Sequence, residues 1–181
     1  MYNSIKLATL SSVIAISACS TYTVNNYGIS AENIELMKAM DGVQFAVNQF
    51  TATKPGLVKI QCRGAGPVST PNKESFESYI TAALVSELKI SGIYSESSDI
   101  RIDGFLEKLD FSSNVGSGKW MFNVDVSNSA GVSYKVNSVF EFSTNWVADK
   151  ACQQVAQAFV PAVQNLIKDI VSNEKFKELK N

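Results

Sequence analysis

Along most of the chain, apolar residues return at one of two intervals, and each change of interval marks the edge of an element. Ile34, Met37 and Met40 follow Ser30 at near-helical spacing, which predicts a short helix over 30–40 with Ser30 as its N-cap. Val43, Phe45 and Val47 then alternate with Gln44, Ala46 and Asn48, the period of a half-buried strand. A Lys54-Pro55-Gly56 turn leads to a second strand over 57–62, and the stretch that follows, holding Gly64, Gly66, Pro67 and Pro71, reads as a loop. From 71 to 90, Phe76, Ile80, Ala83, Leu84 and Leu88 recur every three or four residues on an amphipathic helix that Gly92 ends.

The next segment carries the most detail. Ile100, Ile102, Gly104 and Leu106 share one phase and Leu109 and Phe111 the other, so a strand that keeps one apolar face must slip by one residue, which predicts a bulge at Glu107 and Lys108. Trp120, Phe122, Val124 and Val126 form one alternating strand, and Val132, Tyr134, Val136, Phe140 and Phe142 another. A tight loop at Ser129-Ala130-Gly131, with Gly131 at positive φ, sets a register in which Trp120 faces Phe140 and Val124 faces Val136. On the other surface that register brings Asp125 to Lys135 and Lys119 to Glu141. A helical stripe follows from Val147 through Cys152, Val155, Phe159, Val163, Ile167 and Ile170, with Pro161 predicting a kink or a restart. The sum is a single α+β domain over 30–181: two layers, a mainly antiparallel sheet with amphipathic helices packed on one face.

The N-terminal segment has a different character. Lys6 precedes an apolar run from Leu7 to Ile16, which is too short to span a bilayer and has the length of a signal-peptide core. The tetrapeptide Ile16-Ser17-Ala18-Cys19 resembles the lipobox of bacterial lipoproteins, with Ile16 where Leu is commoner. The resemblance implies that residues 1–18 are removed as a signal peptide and that Cys19 is acylated, with palmitate among its chains. Residues 19–29 would then be a polar, lipidated tether. Ser20 after the cysteine resembles lipoproteins sent to the outer membrane. The competing reading is an ordinary secretory signal cut after Ala18.

Composition narrows the chemistry. The chain has 181 residues with 16 Lys+Arg against 17 Asp+Glu, which leaves no basic face for nucleic acid. It has no histidine, which removes the commonest general base and the commonest metal ligand. With Cys19 acylated, Cys62 and Cys152 remain as a pair in an oxidising compartment and are expected to form a disulfide. The glycines around Arg63 and the Gly116-Ser117-Gly118-Lys119 run lack the spacing of dinucleotide and phosphate loops. Asp103, Asp125 and Glu141 share a sheet surface with Arg101, Lys119 and Lys135, which reads as a solvated ion-pair ladder rather than acid–base or metal chemistry. No catalytic residue, metal or cofactor is expected, and the chain reads as a non-enzyme.

The order of elements behind a lipidated cysteine resembles small proteobacterial envelope lipoproteins: auxiliary lipoproteins of ABC-type transport, the lipopolysaccharide-assembly lipoprotein and activators of peptidoglycan synthases. The resemblance implies an accessory module of an envelope assembly or transport machine, anchored to the outer membrane by lipid and facing the periplasm, with an envelope protein as partner and the oligomeric state left open. The alternative is a lipid- or glycan-binding carrier, which needs a cavity lined by Phe76, Trp120, Phe140 and Phe159. The loop over 63–70, with Arg63, Val68 and Ser69, is the expected partner-binding edge.

Overall fold

The computed structural model describes residues 20–40 and 42–179. The elements run β1 (Tyr22–Thr23), α1 (Ala31–Lys38), β2 (Ala46–Val47), β3 (Thr51–Ala52), β4 (Lys59–Cys62), β5 (Gly66–Ser69), α2 (Phe76–Ile90), β6 (Arg101–Ser112), β7 (Gly118–Asn128), β8 (Ser133–Phe142), α3 (Ala148–Val171) and α4 (Glu174–Glu178). The fold is α+β. Its larger sheet is the antiparallel meander β6–β7–β8, with β2 and β3 pairing in parallel with β6. A smaller sheet has the order β1–β5–β4, in which β1 is parallel to β5 and β5 antiparallel to β4. Both sheets are therefore mixed wholes built around antiparallel hairpins.

Local signals start the helices: α1 follows Ser30 as expected, and α2 begins at Phe76 rather than at 71, after a short 3-10 turn at Pro71–Lys73. The Ser30 hydroxyl accepts the Asn33 N–H at 3.3 Å, and the Ser75 hydroxyl accepts the Ser78 N–H at 3.2 Å, so each satisfies an otherwise orphan donor of a first turn. In the meander, the expected register holds pair by pair: Trp120 with Phe140, Val124 with Val136, Asp125 with Lys135, Lys119 with Glu141. The register of β6 against β7 shifts between Leu106 and Lys108, which brings Leu109 opposite Phe122 and Phe111 opposite Trp120. The bulge thus returns an apolar sequence to the inner face, where Phe111 packs on Trp120 at 4.9 Å between ring centroids.

The core lies between that inner face and the helices. Trp120, Phe122, Val124 and Val126 meet Phe76, Ile80 and Leu84 of α2 and Val155, Phe159, Val163 and Leu166 of α3, all buried. Each such side chain contributes about 1.5–3 kcal/mol on burial. The polar tips of this face are also used: the Trp120 indole N–H donates to the Val155 carbonyl at 2.9 Å, and the Tyr134 hydroxyl to the Ile170 carbonyl in the last turn of α3 at 3.0 Å. Phe176 and Leu179 close the far end, and the Asn128 amide donates to the Leu179 carbonyl at 2.7 Å.

Three expectations are corrected. Residues 20–29 are not a tether. Tyr22 and Thr23 form β1, the Val24 N–H donates to the Ser69 carbonyl at 2.9 Å, and Tyr27 meets Tyr79 edge-on at 6.2 Å. The segment is polar in composition, yet its Tyr22, Val24 and Tyr27 are enough to dock it. Residues 66–69 are not loop but β5, in register with both β1 and β4. The strand expected over 43–47 shrinks to Ala46–Val47, because Phe45 and Ala46 are both buried and the alternation breaks. At Pro161, of the kink or restart expected, the restart does not occur: α3 runs as one helix. The carbonyl of exposed Gln157, which loses its donor, lies where water can satisfy it, while Phe159, Ala162 and Val163 hold both halves to the core.

Candidate functional site

One end of the molecule gathers the first described residues, the disulfide and three connecting loops. Cys62 ends β4 and Cys152 lies near the start of α3; their sulfurs are bonded at 2.06 Å with Cα atoms 5.8 Å apart and 90 residues of sequence between them. Both residues are fully buried, which shields the bond from thiol exchange and makes it a staple between the small sheet and the long helix.

Beside it, Arg63 opens the β4–β5 turn in left-handed conformation (φ 46°). Its guanidinium is spent inside the protein. Nε donates to the Ser113 hydroxyl at 3.1 Å, Nη1 to the Trp146 carbonyl at 3.2 Å, and Nη2 to the Asn145 and Ser113 carbonyls. Arg63 therefore clamps the β6–β7 turn and the β8–α3 connection to the β4–β5 turn, and the Thr144 hydroxyl adds a bond to the Asn114 carbonyl. Val68 is fully buried, and Ser69 is paired on one side with Thr23 and on the other with Lys59. Of the expected partner-binding trio, Val68 is thus corrected to a core residue, while Arg63 is a loop clamp and Ser69 a strand residue, both half-buried. Alternation in 66–69 is too short to read, and Pro67 within it and Pro71 beyond it disguise it as loop.

The residues that this end does present are Trp146 and Val115, 77% and 71% exposed. Neither belongs to a periodic stripe. A bulky apolar residue isolated among Asn, Ser and Thr in a connection is the signal that points to them. Close by, the Tyr22 hydroxyl donates to Asp149 in the first turn of α3 at 2.7 Å, and that bond to a carboxylate, with partial burial second, raises the Tyr22 phenol above its ordinary range.

The four aromatic residues expected around a cavity pack instead. Phe76, Trp120 and Phe159 are fully buried, with Trp120 4.8 Å and Phe76 5.3 Å from Phe159 between centroids, and Phe140 sits half-buried at the rim. A cleft of about 310 Å³ opens where the bulge of β6 faces β4 and the start of α2; of the four, Phe76 lines it, and Trp120, Phe140 and Phe159 do not. Leu57, Ile60, Leu106 and Leu109 form its apolar wall, and Lys59, Lys108 and Asp110 its rim. This volume is at the low end of what ligand sites use.

Of the acidic candidates, Asp125 lies 3.5 Å from Lys135, which also bonds Glu107 at 3.2 Å; the bond to Glu107 and then the charge of Asp125 raise the lysine's pKa. Asp103 accepts from the Asn48 amide at 2.9 Å, and Glu141 stands opposite Lys119. These acids form a cross-strand ladder with no convergence on one point. Among the described residues, no group of three or more His, Cys, Asp or Glu is placed to hold a metal ion. Cys19 and the apolar segment before it lie outside the described residues. No helix among the described residues is long and apolar enough to cross a membrane.

No protein-family model matches the chain, and no curated protein is similar to it. Among solved structures, the fold is similar to the crystal structure of protein XCC0632 from Xanthomonas campestris, of family DUF330. The match covers 88% of this chain and 96% of that one, at a TM-score of 0.56 and 10% sequence identity. At that identity the likeness is one of fold.

Proposed function

We propose that this is a lipid-anchored envelope protein: residues 1–18 are removed, Cys19 carries the acyl chains, and the domain faces the periplasm from the outer membrane. There it acts as an accessory module that contacts another envelope component and performs no chemistry of its own. The observation that carries the reading is the division of labour among three cysteines. Two are joined in the interior, a state that persists in oxidising compartments, and the third ends the apolar leader in a lipobox-like tetrapeptide. A fold shared with a Xanthomonas protein is in keeping with a bacterial origin.

The test is replacement of Cys19 by Ser, followed by cell fractionation and periplasmic crosslinking. The anchored protein is expected in the outer-membrane fraction with a crosslinked envelope partner, and the variant in neither. A variant that remains with the membrane unchanged contradicts the anchor. The carrier alternative draws on the cleft beside the β6 bulge. Native mass spectrometry of the detergent-extracted protein separates the two, because a carrier retains a bound lipid or glycan and an interaction module does not.

A further inference from the structure

Resting on the reading of Cys19 as the acylated residue, we infer that the domain sits directly on the bilayer, with the Trp146 and Val115 end inserted into the lipid interface, rather than standing off it on a leash. The first step is the length of chain available. Ser20 is already part of the folded body: its carbonyl lies so close to Gly66 that a Cβ there would be 1.9 Å from the oxygen, and β1 begins at Tyr22. One residue spans at most about 3.3–3.6 Å, so a cysteine bonded to Ser20 has no slack, and its acyl chains bring the β4–β5 turn to the headgroups.

The second step is what else lies at that end. Arg63, in that turn, binds the carbonyls of Ser113 and Trp146, so the β6–β7 turn carrying Val115 and the connection carrying Trp146 share the same end as Ser20. These are the two most exposed large apolar side chains among the described residues, at 71% and 77%. Tryptophan at a protein surface is suited to the headgroup level, where its ring is wet on one side and apolar on the other.

The third step is charge. The chain is 18% charged, yet residues 20–28, 64–70, 112–118 and 143–147 contain no Asp, Glu, Lys or Arg. Arg63, the cation among them, has its guanidinium tied to loop carbonyls and a hydroxyl. The opposite end is different: Glu174, Lys175, Lys177 and Glu178 crowd the last helix. Apart from Arg63, the described loops at the Trp146 end bring no charge to a bilayer, and Asp149 in the first turn of α3 accepts the Tyr22 hydroxyl.

The experiment uses the mature, membrane-extracted protein reconstituted into vesicles of phosphatidylethanolamine and phosphatidylglycerol that contain a phosphatidylcholine brominated high in its acyl chain. Flotation reports anchoring, and quenching of tryptophan emission by bromine reports seating. The protein is expected to float and to lose the Trp146 part of its emission. Trp146→Phe, at an exposed position, is expected to float but to show no quenching, because Trp120 is in the core. Flotation without quenching overturns the seating and leaves the anchor standing. Quenching that survives in Trp146→Phe also overturns the seating, and failure to float overturns anchor and seating together.

Discussion

Three tyrosines carry their hydroxyls inward, and each is held above the ordinary phenol pKa of 10.0, mainly by burial. Tyr27 also donates to the buried Glu87 carboxylate at 2.5 Å, and Tyr79 donates to the Asn25 carbonyl at 2.8 Å. Unfolded tyrosines lose their protons near pH 10 while these keep theirs. Their contribution is therefore fully present below that pH and is lost as pH rises past it, by at most about 1.4 kcal/mol per pH unit for Tyr134. Urea midpoints are expected to be flat from neutral pH to about 9 and to fall above 10; Tyr134→Phe should flatten the fall and lower the neutral-pH stability by about 1 kcal/mol. Opening the disulfide, by Cys62→Ala with Cys152→Ala, is expected to cost on the order of 4–5 kcal/mol for a loop of this length, read as a lower urea midpoint. The pairing of these cysteines was legible because only two thiols remained once Cys19 was set aside. The role of Arg63 was not, since a guanidinium that closes loops on one another has no signature in the neighbouring sequence.

At the scale of elements, the long hairpins were the readable part and the short strands were not. Ten or more alternating residues in β7 and β8 define a face, and the apolar and charged pairs agree on one register. The bulge was equally visible as a change of phase. Two-residue strands such as β1, β2 and β3 have no period to detect, and they exist because a longer partner offers them a ladder. Gly104 shows what such pairing requires. A Cβ there would lie 2.4 Å from the ring of Phe50, which covers the bare backbone of β6 between β2 and β3. Gly104→Ala is expected to destabilise by about 1–3 kcal/mol by pushing that ring aside, seen as a lower Tm. Gly66→Ala instead collides with the Ser20 carbonyl, backbone against backbone. It should free β1 while the core persists, so hydrogen exchange at the Val24 amide rises in this variant while that at Val124 does not.

For the whole molecule, the cysteine pairing and the α+β architecture were accessible without coordinates, because both follow from patterns tens of residues long. The surface was not, because which loops share an end depends on how β4, β6 and α3 come together. The polar segment after Cys19 reads as a leash and instead holds the first strand of the fold, which turns the proposed anchoring from a domain on a tether into a domain held by its own first residues. That picture stands or falls with acylation of Cys19. The most direct measurement is mass spectrometry of the N-terminal peptide of the protein extracted from membranes. Acylation predicts a peptide that begins at Cys19 and carries the added mass of diacylglycerol and an amide-linked acyl chain. A peptide with an unmodified Cys19 thiol, or a mature chain that begins anywhere else, contradicts it.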